Sequence, residues 1–150
     1  MWKNVDVISV RQGKYTVDIL KRFGMMKCKV MNTPMALNLK LLSDASLELV
    51  DAMMYHQIIG SLMYLMNTRP YICFFVNTLS QFLVDQRHVH MIYTKHILRY
   101  LKGTVDYRLK YEANQKINLE GYVDLDWEGS SVDMKRTLGC CFSMGSSVVS

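Results

Sequence analysis

The sequence predicts an α+β chain in which a helical region is followed by strands. Three observations predict it. Hydrophobic residues make up 50% of the chain, with 21% charged residues and two prolines, which describes a folded core rather than a disordered or collagen-like polymer. Apolar side chains recur at helical spacing between Tyr15 and Leu101. Beyond Gly103 the period shortens to two, the spacing of strands. A chain of 150 residues can bury about two thirds of its unfolded surface, so the packing requires neither disulfides nor a structural metal.

The elements follow in order. Tyr15, Ile19, Leu20 and Phe23 lie on one helical face, Asp18 stands one turn before Arg22, and Gly24 occupies a stopping position, so a short amphipathic helix is predicted over 14–23. Thr33-Pro34 breaks the pattern. The polar stretch that runs from there to Asp51 reads as a loop or linker and as the candidate boundary. From Tyr55, the positions Ile58, Ile59, Leu62, Met63 and Met66 give a second helix. After Thr68-Arg69-Pro70, the set Ile72, Phe75, Val76, Leu79, Phe82 and Leu83 gives a third, the pair forming a helical hairpin over 55–83. Another helix is predicted from His90 to Lys102, ending at Gly103. At 100° per residue, Lys95, Arg99 and Lys102 fall within about 60° of one another, opposite Tyr93, Ile97, Leu98 and Leu101. One face is core and the other cationic. Tyr107, Leu109 and Tyr111 then alternate with Arg108 and Lys110, Leu119 to Asp126 reads as a strand, and residues 138–149 read as another strand or hairpin. No element is assigned before Arg11.

Eighteen Lys and Arg stand against 13 Asp and Glu, for a net charge of +5 and a pI near 9.0. This mild basicity favours phosphate-bearing partners without identifying them. Four cysteines, Cys28, Cys73, Cys140 and Cys141, lack ligand or disulfide spacing and read as reduced thiols of an intracellular chain, cytoplasmic or nuclear. No signal peptide precedes Arg11. The longest nearly apolar run, Ile58 to Met66, is about half a membrane span, so no membrane partner is expected.

Two features carry candidate chemistry. Asp124 and Asp126, at i and i+2 on a strand, point to one side and would share a hard divalent cation, with Glu128 and Asp133 nearby; the same residues also read as an acidic strand end entering the turn at Gly129. The cationic face Lys95, Arg99 and Lys102, continued by Arg108 and Lys110 and interleaved with Tyr100, Tyr107 and Tyr111, would track a nucleic-acid backbone; the alternative is an ordinary solvated helix face. His88-x-His90 is a poor chelate because side chains at i and i+2 on a helix diverge by about 200°, so a surface or capping role is read for it. Neither a phosphate-binding glycine loop nor a hydrolase nucleophile motif occurs.

The wording of several segments adds to this. Gln12-Gly-Lys-Tyr-Thr-Val-Asp-Ile-Leu-Lys-Arg-Phe-Gly-Met25, Thr33-Pro-Met, Tyr55-His-Gln-Ile-Ile-Gly-Ser-Leu-Met-Tyr-Leu-Met-Asn-Thr-Arg-Pro70, Leu98-Arg-Tyr-Leu-Lys-Gly-Thr104 and Gly121-Tyr-Val-Asp-Leu-Asp-Trp-Glu-Gly129 resemble successive blocks of copia-type retrotransposon Pol polyproteins, in order and spacing, over nearly the whole chain. The wording is closer to plant elements than to insect or fungal ones. The resemblance implies that residues 1–32 form the tail of a reverse transcriptase domain, residues 33–112 its thumb and connection helices, and residues 113–150 the first strands of an incomplete ribonuclease H-like sheet. It implies that Asp124 corresponds to a metal-binding aspartate of ribonuclease H, an activity that uses magnesium on RNA–DNA hybrids.

On this reading the polymerase Tyr-x-Asp-Asp motif is expected upstream of Met1 and the remaining ribonuclease H acids beyond Ser150. Neither active site is then intact, no cofactor is retained, and Asp124 is a vestigial ligand. The chain also departs from the family, which usually has Asp at the position of Tyr71, Trp at that of Met91, Ala at that of Glu128 and Arg-Lys-Ser-Thr-Ser-Gly at that of Met134 to Gly139. The expected function is that of a truncated, inactive remnant, a pseudoenzyme with weak, salt-dependent affinity for an RNA–DNA hybrid or other nucleic acid and with self-association through an exposed sheet edge. The alternative is a co-opted, effector-like interaction protein that uses the hairpin 55–83. Marginal stability is expected of such a remnant.

Overall fold

Two short strands open the chain where the sequence pattern assigns none: β1 (Trp2–Asn4) and β2 (Val7–Val10). The computed structural model describes residues 2–4, 7–35, 50–112, 119–125, 138–144 and 147–149, with side-chain surroundings for 7–35 and 50–111. In β2 the run Val-Ile-Ser-Val has the β-branched character of a strand, and its partner is β3 (Leu109–Glu112), about a hundred residues away in the chain. The pairing is antiparallel, with Val10 opposite Leu109 and Val7 opposite Glu112, and β1 adds on the other side of β2 to give the order β1-β2-β3.

Helix α1 (Gly13–Arg22) matches the predicted helix to within a residue at each end. Its end is a Schellman motif: Gly24 adopts φ 67°, the Met25 N–H donates to the Leu20 carbonyl at 2.7 Å, and the Gly24 N–H donates to that of Lys21 at 3.1 Å. The last carbonyls are thereby satisfied, and glycine takes the left-handed position without a Cβ clash. The pair expected between Asp18 and Arg22 is not among the ion pairs of the described residues.

Helix α2 (Ala52–Leu65) starts at an N-cap, the Asp51 carboxylate accepting from the Met54 N–H at 3.1 Å. This satisfies one donor of the first turn. Most of the linker read from Thr33 to Asp51 lies outside the described residues. The second arm of the hairpin is split: a single 3₁₀ turn, Pro70–Ile72, leads into α3 (Cys73–Ser80). Pro70 begins the turn because its missing N–H has no acceptor to satisfy there.

Helix α4 (His88–Gly103) is opened by a histidine rather than a hydroxyl or carboxylate. The Nδ1 of buried His90 accepts from the Arg87 N–H at 3.0 Å, and its ring stacks on Phe82 with centroids 3.9 Å apart. Of the surface or capping role expected for the His88-x-His90 pair, His90 takes capping and is buried, not at the surface.

The core is built from one stripe of each helix: Ile19 and Leu20 of α1, Tyr55, Ile58, Ile59, Leu62 and Leu65 of α2, Val76 and Leu79 of α3, and Met91, Ile97, Leu98 and Leu101 of α4. Tyr55 is anchored within it by donating from its hydroxyl to the Leu79 carbonyl at 2.7 Å. Side chains before and after residue 33 share this core. A second antiparallel sheet, in the order β4-β5-β6, is formed by β4 (Leu119–Leu125), β5 (Leu138–Met144) and β6 (Ser147–Val149), as the strand and hairpin expectations for those segments require. The chain is therefore a mixed helix and strand structure of the α+β kind.

Candidate nucleic-acid interface

The side chain that organises this region is Arg69, fully buried at 0% exposure. Its guanidinium donates to the carbonyl of Thr104, to that of Val105 at 2.9 Å, and to the Tyr71 hydroxyl at 2.6 Å. Thr104 caps α4, so the cation sits at the end of a helix where unsatisfied carbonyls and the helix dipole supply negative potential. Those groups, not a carboxylate, offset its burial. Around it, the Tyr71 ring meets Tyr100 and Tyr107 edge to face, with centroids at 5.9 and 6.4 Å. Burial pushes the Tyr100 phenol up from its ordinary value, the neighbouring Tyr71 and Tyr107 add to the effect, and the Arg69 charge opposes it.

Two further contacts bring the start of α1 to the same place. The Thr68 hydroxyl donates to the side-chain carbonyl of Gln12 at 2.7 Å. A Cβ on Gly13 would stand 3.1 Å from the Val105 carbonyl oxygen, so this approach is closer than a side chain comfortably allows. Gln12-Gly13, Thr68-Arg69-Pro70 and Gly103-Thr104, which lie in three separate sequence blocks, are thus joined in space around one guanidinium.

Two clefts open beside this junction. One, of about 330 Å³, is lined by Thr68, Tyr71, Asp106, Tyr107, Arg108 and Leu109. The other, about 720 Å³, runs along α1 past Arg11, Lys14, Tyr15, Lys21, Val105 and Asp106. Arg11, Lys14, Lys21 and Arg108 are all exposed. Lys14 and Lys21 are seven residues apart, within about 20° on a helix, with Asp18 between them. This α1 strip escapes a reading centred on α4. The signal was available as the polar side of the 14–23 helix.

The predicted basic residues divide. Lys95 is exposed on α4, Arg108 lines the smaller cleft, and Lys110 is exposed on β3. Arg99 and Lys102 are committed to the protein: Arg99 Nε donates to the Lys29 carbonyl at 2.8 Å and Lys102 Nζ to the Cys28 carbonyl at 2.6 Å. His96 Nε2 lies 3.1 Å from the Thr33 carbonyl, and the Met31 N–H donates to the Arg99 carbonyl at 3.4 Å. The cationic face thus holds the strap of residues 25–35 across α4. A Cβ on Gly103 would come within 2.5 Å of a Val30 methyl, so this glycine is there for the strap's approach; no left-handed turn occurs at it.

Asp124 lies in β4 opposite Gly139 of β5. Asp126, Glu128 and Asp133 lie outside the described residues. Among the described residues no cluster of three His, Cys, Asp or Glu could hold a metal ion, and no helix is long and apolar enough to cross a membrane. Neither Cys28 nor Cys73 is in a disulfide. The apolar stripe of the 55–83 hairpin is spent in the core, leaving Met53, Met63 and Tyr64 exposed on α2.

Similarity to known proteins gives this junction a lineage. The chain is 36% identical over 138 residues to the Retrovirus-related Pol polyprotein from transposon RE2 of Arabidopsis thaliana, covering 92% of this chain and 10% of that protein. It is 38% identical over 79 residues to the Arabidopsis Uncharacterized mitochondrial protein AtMg00240, covering 53% of this chain and 71% of the relative. The chain is thus similar to a region of retrotransposon Pol polyproteins. It is also 34% identical over 139 residues to the Uncharacterized mitochondrial protein AtMg00810 of the same plant, covering 93% of this chain and 58% of that one. The chain spans about a tenth of the length of the Pol polyproteins it matches. No family model matches the chain, and no solved structure matches it.

Proposed function

We propose that this chain is a copia-type Pol segment, from the thumb and connection of a reverse transcriptase into the start of a ribonuclease H sheet, inactive by itself, which keeps an electrostatic affinity for nucleic acid. The observation that carries the reading is the exposed cation strip, Arg11, Lys14, Lys21 and Arg108, flanking two tyrosine-edged clefts at the junction of the family blocks. Cations that contact phosphates release counterions on binding, and this gives affinity with little sequence preference and a steep dependence on salt. Arg99 and Lys102 hold the strap instead, so α4 contributes Lys95 and the strip on α1 supplies most of the charge.

Two-metal hydrolysis of a phosphodiester needs several carboxylates converging on the ions. Asp124 is one such group by resemblance, and no acid follows Asp133 in the 150 residues. These residues are therefore read as binding without cutting. The test is to incubate the purified chain with an RNA–DNA hybrid in magnesium. Binding that weakens steeply with salt and leaves the RNA intact is the expected result. Cleavage that disappears in Asp124→Asn would overturn the proposal of inactivity, and no association at low salt would overturn the proposal of binding.

A further inference from the structure

The smaller cleft differs in chemistry from the strip beside it. It is lined by two tyrosines, Tyr71 and Tyr107, by Leu109 and Thr68, and by one carboxylate, Asp106, and one guanidinium, Arg108. Tyr107 is 56% and Tyr71 38% exposed, so both side chains reach the surface at the cleft. The Tyr71 ring is held in place by the hydroxyl contact with buried Arg69 and by edge-to-face packing on Tyr100. A rigid aromatic wall loses little entropy when a ligand stacks on it.

We infer that this cleft receives an unpaired nucleobase of a single-stranded nucleic acid, the base stacking on Tyr107 with its edge toward Tyr71, whose ring stands at 75° to that of Tyr107, while Arg108 and the α1 cations take the adjoining phosphates. The inference rests on the nucleic-acid reading above and narrows it to single strands. A free inorganic anion is disfavoured by Asp106 in the lining, and a simple cation by Arg108. A planar, neutral group bearing both donors and acceptors, attached to a phosphate, suits an aromatic wall with one acceptor and one cation beside it. The base must be unpaired, because the faces of paired bases are covered by their neighbours in the stack. At about 330 Å³ the cleft is at the small end of ligand sites, which run from about 300 to 1,000 Å³. It therefore takes a single base, and the rest of the strand lies in the cationic cleft along α1.

The test measures fluorescence anisotropy of the full chain with a labelled oligodeoxyadenylate and with the same backbone made abasic. The wild-type chain is expected to bind the base-bearing strand about tenfold more tightly, within the range for stacking of one base on an aromatic ring. Tyr107→Ala should abolish that preference while leaving affinity for the abasic strand and its salt dependence unchanged. Tyr71→Asp removes the second ring but leaves Arg69 an acceptor, so it should lose the preference too. Equal wild-type affinity for the two strands, with a steep salt dependence in both, would overturn the base site and leave the nucleic-acid reading standing. Retention of the preference in Tyr107→Ala would likewise overturn the site. Failure to bind either strand at low salt would overturn both readings.

Discussion

A guanidinium taken out of water requires acceptors, and Arg69 finds three for its terminal nitrogens, two carbonyls at the end of α4 and a tyrosine hydroxyl. Its Nε is buried with no hydrogen-bond partner. Replacing it with Met would leave the Val105 carbonyl without its donor, the Thr104 carbonyl with the Tyr107 N–H alone, and a cavity beside them, so Arg69→Met is expected to cost about 3 kcal/mol, read from the denaturant midpoint. Arg69→Lys should recover little of this, because a single ammonium cannot span the Thr104 and Val105 carbonyls as a planar fork does. In the sequence, Thr68-Arg69-Pro70 shows only as a break between helices and as a family block. Its physical role depends on Thr104 and Val105, far along the chain, which no local pattern displays. Tyr71 is a related case. In sequence, the absence of the family's usual Asp there reads as a missing helix-start carboxylate; in the fold, the Tyr71 hydroxyl accepts from the Arg69 guanidinium.

Tyr55 gives a prediction in pH. Burial raises its phenol to about 12, with the Thr94 hydroxyl opposing the shift. The unfolded chain loses this proton near pH 10, while the folded chain keeps it until about 12. Between those values the folded state binds more protons, so this group's stabilisation is complete below pH 10 and falls as pH rises, with a slope of up to about 1.4 kcal/mol per pH unit. Tyr55→Phe should flatten the decline seen in urea melts across that window while costing about 1 kcal/mol at neutral pH, because the Leu79 carbonyl then has no hydroxyl to accept from.

At the scale of elements, three glycines that look alike in sequence do different things. Gly24 is needed for its left-handed φ, Gly103 for the passage of Val30, and Gly60 sits exposed in α2 with nothing within 4 Å of where its Cβ would be. Gly60→Ala is therefore expected to stabilise the chain by about 0.5–1 kcal/mol. Gly103→Ala should destabilise it and, by lifting the strap, increase hydrogen exchange at the Met31 amide. The helices were legible because their signal is local: the 3.6-residue period located α1, α2 and α4 to within a few residues. The split of α3 behind its 3₁₀ turn was not. The strap was illegible as well, since a helical wheel identifies Arg99 and Lys102 as one face but carries nothing about what lies over that face.

Across the whole molecule, the longest-range connection is the pairing of β2 with β3. It was invisible because a four-residue segment, Val-Ile-Ser-Val, is too short to display a period, and its partner is remote. The helices and this sheet fix where the cations lie. Reading α4 alone places the basic surface on Lys95, Arg99 and Lys102. The folded chain instead ties two of these down and presents Arg11, Lys14 and Lys21 along the larger cleft. The second sheet brings Asp124 opposite Gly139, and the continuation of the acidic segment lies outside the described residues.

The proposed affinity for nucleic acid is therefore placed above all on the α1 strip. The most direct test is the salt dependence of binding to an RNA–DNA hybrid, measured for the wild-type chain and for the triple variant Arg11→Gln, Lys14→Gln, Lys21→Gln. If the strip touches phosphates, neutralising it should lower affinity at low salt at least tenfold and reduce the slope of log K against log salt by about two to three, close to one for each phosphate left without its cation. An unchanged slope, with affinity falling instead in Lys95→Gln, would contradict the assignment and return the interface to α4.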